Sequence, residues 1–232
     1  MTKKFNNIEH IFFDLDHTLW DFDLNSKLAY KQIFEEHQLT LELDRFIEIY
    51  EPLNLQFWRM FRENKISKEN LRFQRLKTAF DACDYAVEDE KIHLFADLYM
   101  EYLPNYNHLF DGCIELLDQL QDNYRLHLIT NGFNGVQQNK IKNSGLDKYF
   151  DVVLTAEAAG VKKPAPEIFH KALQMANAEV ANSLMIGDSY EADIKGAQNI
   201  GLATIWFQLK DEVVPEHEVV VRHLRDIYPL LS

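Results

Sequence analysis

The sequence predicts an α/β fold: an open, doubly wound parallel sheet into which an all-helical segment has been inserted. Three observations carry this. Short apolar runs recur at the length of buried strands. Helical patterns alternate with the later runs, as βαβ units require. A stretch of roughly 85 residues after the first run has helical periodicity and nothing strand-like.

The strands are predicted at IFF 11–13, LHLI 126–129, VVL 152–154, LMI 184–186 and ATIWF 203–207. Residues 113–120 are apolar at Ile114, Leu116, Leu117 and Leu120, one stripe of a helix. Residues 168–175 and 194–200 read the same way. In the insertion, helices are predicted over 26–37 with Ser26 as N-cap, 43–61, 67–80 and 88–103, with Pro104 ending the last. The predicted domains are therefore a sheet domain of 1–21 and 108–232 and a helical domain of 22–107. The run LKDEVVPEHEVVV reads as a surface loop leading to a short final strand, and 221–231 as a last helix.

A length of 232 residues fits one domain with a large insertion. The hydrophobic fraction of 47% and charged fraction of 26% are those of an ordinary globular chain. Lys and Arg total 24 against 37 Asp and Glu, a net charge of −13. Such a surface repels nucleic-acid backbones and anionic lipid, so neither is expected as a partner. It also repels phosphorylated molecules, so a phosphate site must carry its own local cation. Cys83 and Cys113 make neither a disulfide framework nor a metal motif, and reduced thiols are expected. The first apolar run is too short for a signal peptide, and no stretch has membrane-spanning length. The expected compartment is the cytoplasm.

In doubly wound sheets, ligands bind at the carboxyl ends of the strands. The first strand is followed by DLDHT, with Asp14, Asp16 and Thr18; the second by TNG, with Thr130 and Asn131. The third leads to GVKKP, with Lys163 before Pro164, and the fourth to GDSYEAD, with Asp188 and Asp193. Each piece alone is an ordinary turn or surface pair. Together, in one order and each after an apolar run, they bring carboxylates, a hydroxyl, an amide and a lysine to one rim.

This set resembles the four motifs of the haloacid dehalogenase-like superfamily: DLDHT, the strand-terminal Thr130, Lys163, and GDSYEAD. The resemblance spans nearly the whole chain, and the helical insertion is similar to the cap of one branch. It implies a Rossmann-like core, magnesium as cofactor, and a small phosphomonoester as substrate. Asp14 would attack phosphorus and carry an aspartyl-phosphate. Asp16 would protonate the leaving oxygen and later activate water. Two residues apart on an extended segment, both would point the same way. The Asp14 and Asp188 carboxylates and the Asp16 carbonyl would ligate the metal, which needs hard oxygen donors. Thr130, Asn131 and Lys163 would hold the phosphoryl oxygens. Asp193 would orient Lys163 or a metal-bound water, or serve only as an acid at a helix start.

The cation matters because two unit charges about 4 Å apart interact by roughly 4 kcal/mol at an effective dielectric of 20. Asp14, Asp188 and a phosphate dianion total about −4, against about +3 from magnesium and Lys163. His17 stands where the superfamily more often has glycine, and it reads as a structural or solvent-facing residue. The second aspartate disfavours a 2-haloacid dehalogenase but not a β-phosphoglucomutase-like isomerase. ITNGF with Gln137 and Gln138, GVKKPAPEIF, and NKIS…L…R over 64–75 resemble the pyrimidine 5′-nucleotidase branch. N-acylneuraminate 9-phosphate phosphatases share much of this pattern. Lys65 departs from the usual glycine in a loop expected to face the leaving group. The sequence leaves open whether the chain works as a monomer or a dimer.

Overall fold

The computed structural model describes residues 5–209, 213, 215 and 218–231. By internal contact these form two compact units, Met1–Phe22 with Asn107–Ser232, and Asp23–Tyr106.

The first unit is built on a six-stranded, all-parallel sheet. Its strands are β1 (His10–Phe13), β2 (Arg125–Thr130), β3 (Phe150–Thr155), β4 (Ser183–Gly187), β5 (Ala203–Phe207) and β6 (Val220–Val221), in the spatial order β3-β2-β1-β4-β5-β6. β1 and β4 are buried along their whole length, which is why they read as continuous apolar runs. Register fixes the rim. Phe13 lies opposite both Leu128 and Ile186, so the next residue, Asp14, is level with Ile129 and Gly187. The Asp14 N–H donates to the Ile186 carbonyl (2.9 Å), carrying the ladder one step past the strand. Phe12, Ile129, Leu154, Ile168, Phe169 and Met185 are all buried in one apolar cluster between the sheet and a helix.

The helices of this unit are α5 (Cys113–Gln121), α6 (Asn134–Asn143), α7 (Ala156–Ala159), α8 (Pro166–Ala176), α9 (Gly196–Gln198) and α10 (Tyr228–Leu231). α5 and α8 follow the predicted stripes, with Leu116, Leu117, Leu120, Ile168, Phe169 and Leu173 buried. The helix expected over 194–200 begins earlier, as a π-helical turn, Tyr190–Lys195, whose start is capped by the Ser189 hydroxyl accepting from Ala192 N–H. The expected last helix is shorter, a 3-10 turn (Leu224–Asp226) followed by α10. Part of the loop expected before β6 lies outside the described residues. No bounds for α6 are predicted from the sequence, although a helix is expected between β2 and β3. Its sequence, NGVQQNKIKN, has few apolar residues, and the buried side of this helix is largely polar.

The second unit is all-helical: α1 (Phe22–Glu36), α2 (Leu43–Arg62), α3 (Lys68–Ala82) and α4 (Asp89–Tyr102). Phe22 opens α1 but groups by contact with the sheet unit. Ser67 caps α3, its hydroxyl accepting from Asn70 N–H at 3.2 Å. The prediction of Ser26 as an N-cap is corrected: Ser26 is buried inside α1, hydrogen-bonded to the Tyr99 hydroxyl at 2.8 Å. α1 starts four residues earlier, with Asp23 in its first turn where the dipole favours an acid. The interior is aromatic. Tyr30 stacks on Tyr99 with centroids 4.5 Å apart and meets Tyr50 edge-on at 4.7 Å; Phe46 contacts Phe80 at 4.9 Å. Each such ring stabilises by roughly 1.5–3 kcal/mol through burial. Among the described residues, no helix is long and apolar enough to cross a membrane.

Candidate active site

The carboxyl rim gathers Asp14, Thr130, Asn131, Lys163, Asp188 and Asp193 around a buried ammonium. Lys163 is 1% exposed. Its Nζ lies 2.5 Å from Asp14 Oδ1, 2.6 Å from the Ile129 carbonyl and 2.7 Å from Asp193 Oδ1. Two of its N–H bonds are donated to Asp14 and the Ile129 carbonyl, and Asp193 adds an ion pair. Burial by itself would lower the Lys163 pKa, but Asp14 and Asp193 outweigh it and raise it.

Two glycines make the packing possible. A Cβ on Gly187 would sit 2.4 Å from Asp193 Oδ2, and one on Gly132 would sit 2.4 Å from Gln137 Cδ. The G of GD thus lets a carboxylate lie against the strand end, and the G of TNG does the same for an amide. Asp193 is further held by the Ser189 N–H at 3.0 Å.

The Asn131 side chain braces the main chain of Lys163. Its Oδ1 accepts from Lys163 N–H at 2.8 Å and its Nδ2 donates to the Lys163 carbonyl at 3.0 Å. Most of its side-chain amide is therefore spent fixing the main chain that carries the ammonium. Thr130 Oγ1 accepts from Gly132 N–H (3.1 Å) and from Gln137 Nε2 (2.7 Å), so its own proton is left to donate.

Asp14, Asp188 and Asp193 each place a carboxylate oxygen within 4.8 Å of the others. Burial drives the Asp14 carboxyl well above its ordinary pKa, against the opposing charge of Lys163, with Asp193 and Asp188 adding to the rise. Burial also lifts Asp188 to about 7; nearby His17 opposes this and Asp193 reinforces it. Such a cluster is short of positive charge. Asp193 is held at one oxygen by Lys163 and at the other by the Ser189 N–H, while Lys163 meets Asp14 at Oδ1, so Asp14 and Asp188 are the better placed hard oxygen donors for a small divalent cation. Asp188 is oriented by the Thr18 hydroxyl, which donates to Oδ1 at 3.3 Å, and its carbonyl accepts from Trp206 Nε1 at 2.8 Å.

His17 has a φ of +64°, the left-handed region where glycine is unstrained. That explains why glycine suits this position. Its ring lies 4.9 Å from Phe22.

Asp16 faces α6. Its Oδ1 lies 2.6 Å from Lys140 Nζ and its Oδ2 accepts from Gln137 Nε2 at 3.0 Å. Lys140 and Gln137 are 2% and 1% exposed. Sequence reasoning assigned no role to Lys140 and used Gln137 only as part of a resemblance. The available signal was negative: a segment between two strands with too few apolar residues to dock a helix must dock it through polar ones. Cys113, by contrast, is an inert thiol, pushed up to about 12 chiefly by burial.

A six-stranded parallel sheet with this acid–lysine rim defines a Rossmann-like hydrolase core. The haloacid dehalogenase-like hydrolase family matches over residues 11–207, and the chain belongs to that family. It is 34% identical over 202 residues to the pyrimidine 5′-nucleotidase PynA of Streptococcus pneumoniae, covering 85% of this chain and 82% of that one. It is 31% identical over 207 residues to the pyrimidine 5′-nucleotidase YjjG of Escherichia coli, covering 89% and 88%. Among solved structures, the HAD-hydrolase YfnB of Bacillus subtilis, bound to magnesium, superposes with a TM-score of 0.87 at 29% identity, covering 97% and 99%.

Proposed function

We propose that this protein is a magnesium-dependent phosphatase that hydrolyses a small phosphomonoester through an aspartyl-phosphate. The proposed substrate is a pyrimidine nucleoside 5′-monophosphate. The observation that carries the reading is that the two aspartates of DLDHT are held by two different buried lysines, Asp14 by Lys163 and Asp16 by Lys140. Displacement of halide from carbon needs one aspartate; phosphoryl transfer to and from an oxygen needs a second for the proton.

In this reading Asp14 attacks phosphorus in line and the leaving oxygen takes a proton from Asp16. Esterification removes the Asp14 charge, which frees one Lys163 N–H for a phosphoryl oxygen. The Thr130 hydroxyl donates to another. Asn131 keeps Lys163 in place through its main chain, and Asp193 keeps the ammonium oriented. Asp16, now a carboxylate, draws a proton from the water that releases phosphate. Magnesium, held by the Asp14 and Asp188 carboxylates and the Asp16 carbonyl, would neutralise charge on the transferring group. The carboxylate oxygens of Asp14 and Asp188, within 4.8 Å of one another, support this placement. Chelator should remove phosphate release and added magnesium restore it, while calcium inhibits. Full activity in excess chelator would sink the metal-dependent reading.

The helical segment 22–107 is proposed as a cap that selects the leaving group. Asn64–Ser67 forms the turn between α2 and α3, with Asn64 at a φ of +57° and Lys65 64% exposed at its side chain. It is the candidate contact to the leaving group. The substrate class rests on the nucleotidase names of two relatives and on the sequence runs shared with that branch. The test is a phosphate-release panel of uridine and thymidine monophosphates against hexose and acylneuraminate phosphates, repeated in a Lys65→Ala variant. A large preference for the sugars would replace the nucleotidase reading and leave the phosphatase chemistry standing.

A further inference from the structure

We propose that Lys140 is a positioning residue for the reaction, fixing the orientation of the Asp16 carboxylate from helix α6. This rests on the reading of Asp16 as the proton donor.

The argument begins with the cost of the lysine. Lys140 buries a charge with its side chain 2% exposed, on a helix whose docking to the sheet could have been served by an apolar residue. A buried ammonium is costly unless its position is specified. Here it is specified from two sides. One side is the ion pair with Asp16 Oδ1 at 2.6 Å. The other is aromatic: the ammonium lies 4.0 Å from the Trp20 ring centroid and 5.1 Å from that of Phe22. Ring faces attract a cation and leave it no room to swing into water. The ammonium is thus a fixed point for the aspartate.

Gln137, one turn earlier on the same face of α6, completes the hold. Its Nε2 donates to Asp16 Oδ2 at 3.0 Å and to Thr130 Oγ1 at 2.7 Å. Both Asp16 oxygens are therefore tied to one rigid helix, and that helix is tied to the hydroxyl proposed to bind the phosphoryl group. A proton donor must meet the leaving oxygen within hydrogen-bond reach, and an error of an ångström is costly. The geometry sets Asp16 relative to Thr130 through the side chains of α6.

The test uses kcat/KM on phenyl phosphate and 4-nitrophenyl phosphate, a poor and a good leaving group, with Asp16→Asn as reference. Lys140→Met should lower kcat/KM on phenyl phosphate by roughly 10-fold or more, and far less on 4-nitrophenyl phosphate. The KM for 4-nitrophenyl phosphate should hold. Lys140→Arg should recover the wild-type ratio between the two esters, and Lys140→Gln should not; this pair decides the matter if Lys140→Met fails to fold. In the Asp16→Asn background, Lys140→Met should add less than about 2-fold, as coupled residues do. Equal losses on both esters in Lys140→Met, with Asp16→Asn still discriminating, would overturn the positioning role alone. If Asp16→Asn itself fails to discriminate, the proton-donor reading falls and takes this proposal with it.

Discussion

The rim of the sheet and the interior of the helical unit both bury charge, but on opposite terms. At the rim, Asp14, Lys163, Asp193 and Lys140 are each at most 7% exposed, and every one is matched to an opposite charge at 2.5–2.7 Å. In the helical unit Arg75 is 1% exposed and faces rings. Its Nη1 donates to Asn54 Oδ1 at 2.9 Å, its guanidinium lies 5.0 Å from the Tyr99 centroid, and its Nε and Nη2 have no hydrogen-bond partner among the described residues. An apolar side chain could fill the place of Arg75 at little cost. At the rim no apolar replacement leaves a neutral remainder, because each charge is already committed to another. Clusters of that kind mark sites selected for chemistry more than for stability.

The largest expected effect comes from the nucleophile. Asp14→Asn should lower kcat by roughly 10³-fold or more while the protein stays folded. The sign for stability follows from the pKa. A carboxyl whose folded pKa is raised is destabilising once pH exceeds its unfolded value, so a neutral isostere removes that penalty. In chelator, the Tm of Asp14→Asn should equal or exceed that of the wild type. Retention of substantial turnover in the pure variant would refute the assignment.

Next in size is a matched pair of substitutions. Lys163→Met strands Asp14 and Asp193 without their counter-charge and should destabilise by about 3–5 kcal/mol. Arg75→Met removes a cation that has no carboxylate against it among the described residues and leaves Asn54 Oδ1 still accepting from the Tyr50 hydroxyl. It should change stability by no more than about 1 kcal/mol. Urea denaturation followed by circular dichroism reads both. Similar losses would mean that the two regions do not differ as described.

The sheet and most helices were legible because burial on both faces writes unbroken apolar runs, and burial on one face writes stripes. The rim residues were legible because each follows such a run. What was hidden has one physical cause: polar burial leaves no hydrophobic pattern. α6 docks through Gln137 and Lys140, so neither its bounds nor its hold on Asp16 show in periodicity. Ser26 looked like a cap because exposed serines favour that place, yet it is a buried partner of Tyr99. Nothing in TNG reveals that the Asn131 side chain would brace the main chain of Lys163.

The smallest expected effect lies away from the rim on β1 and β2, where a titratable pair is buried. His10 and His127 stack with centroids 5.3 Å apart, and His10 Nδ1 lies 3.0 Å from His127 Nε2. One ring nitrogen must donate and the other accept, which two imidazolium rings cannot do. Burial lowers His127 to about 4, and His10 and Arg125 push the same way against Asp151. His10 is lowered by burial too, with Glu9 opposing. A histidine whose folded pKa lies below its unfolded value of 6.5 takes up a proton on unfolding. Stability is therefore full above about pH 6.5 and is lost as pH falls toward 4. Carboxylates contribute to any acid loss, so the informative quantity is a difference. His127→Gln keeps a neutral partner for His10 and cannot be protonated. Between pH 7.5 and pH 5 the Tm of the wild type should fall further than that of His127→Gln. Equal falls would show that the acid sensitivity lies elsewhere, and that this buried pair, unlike the rim, is indifferent to protonation.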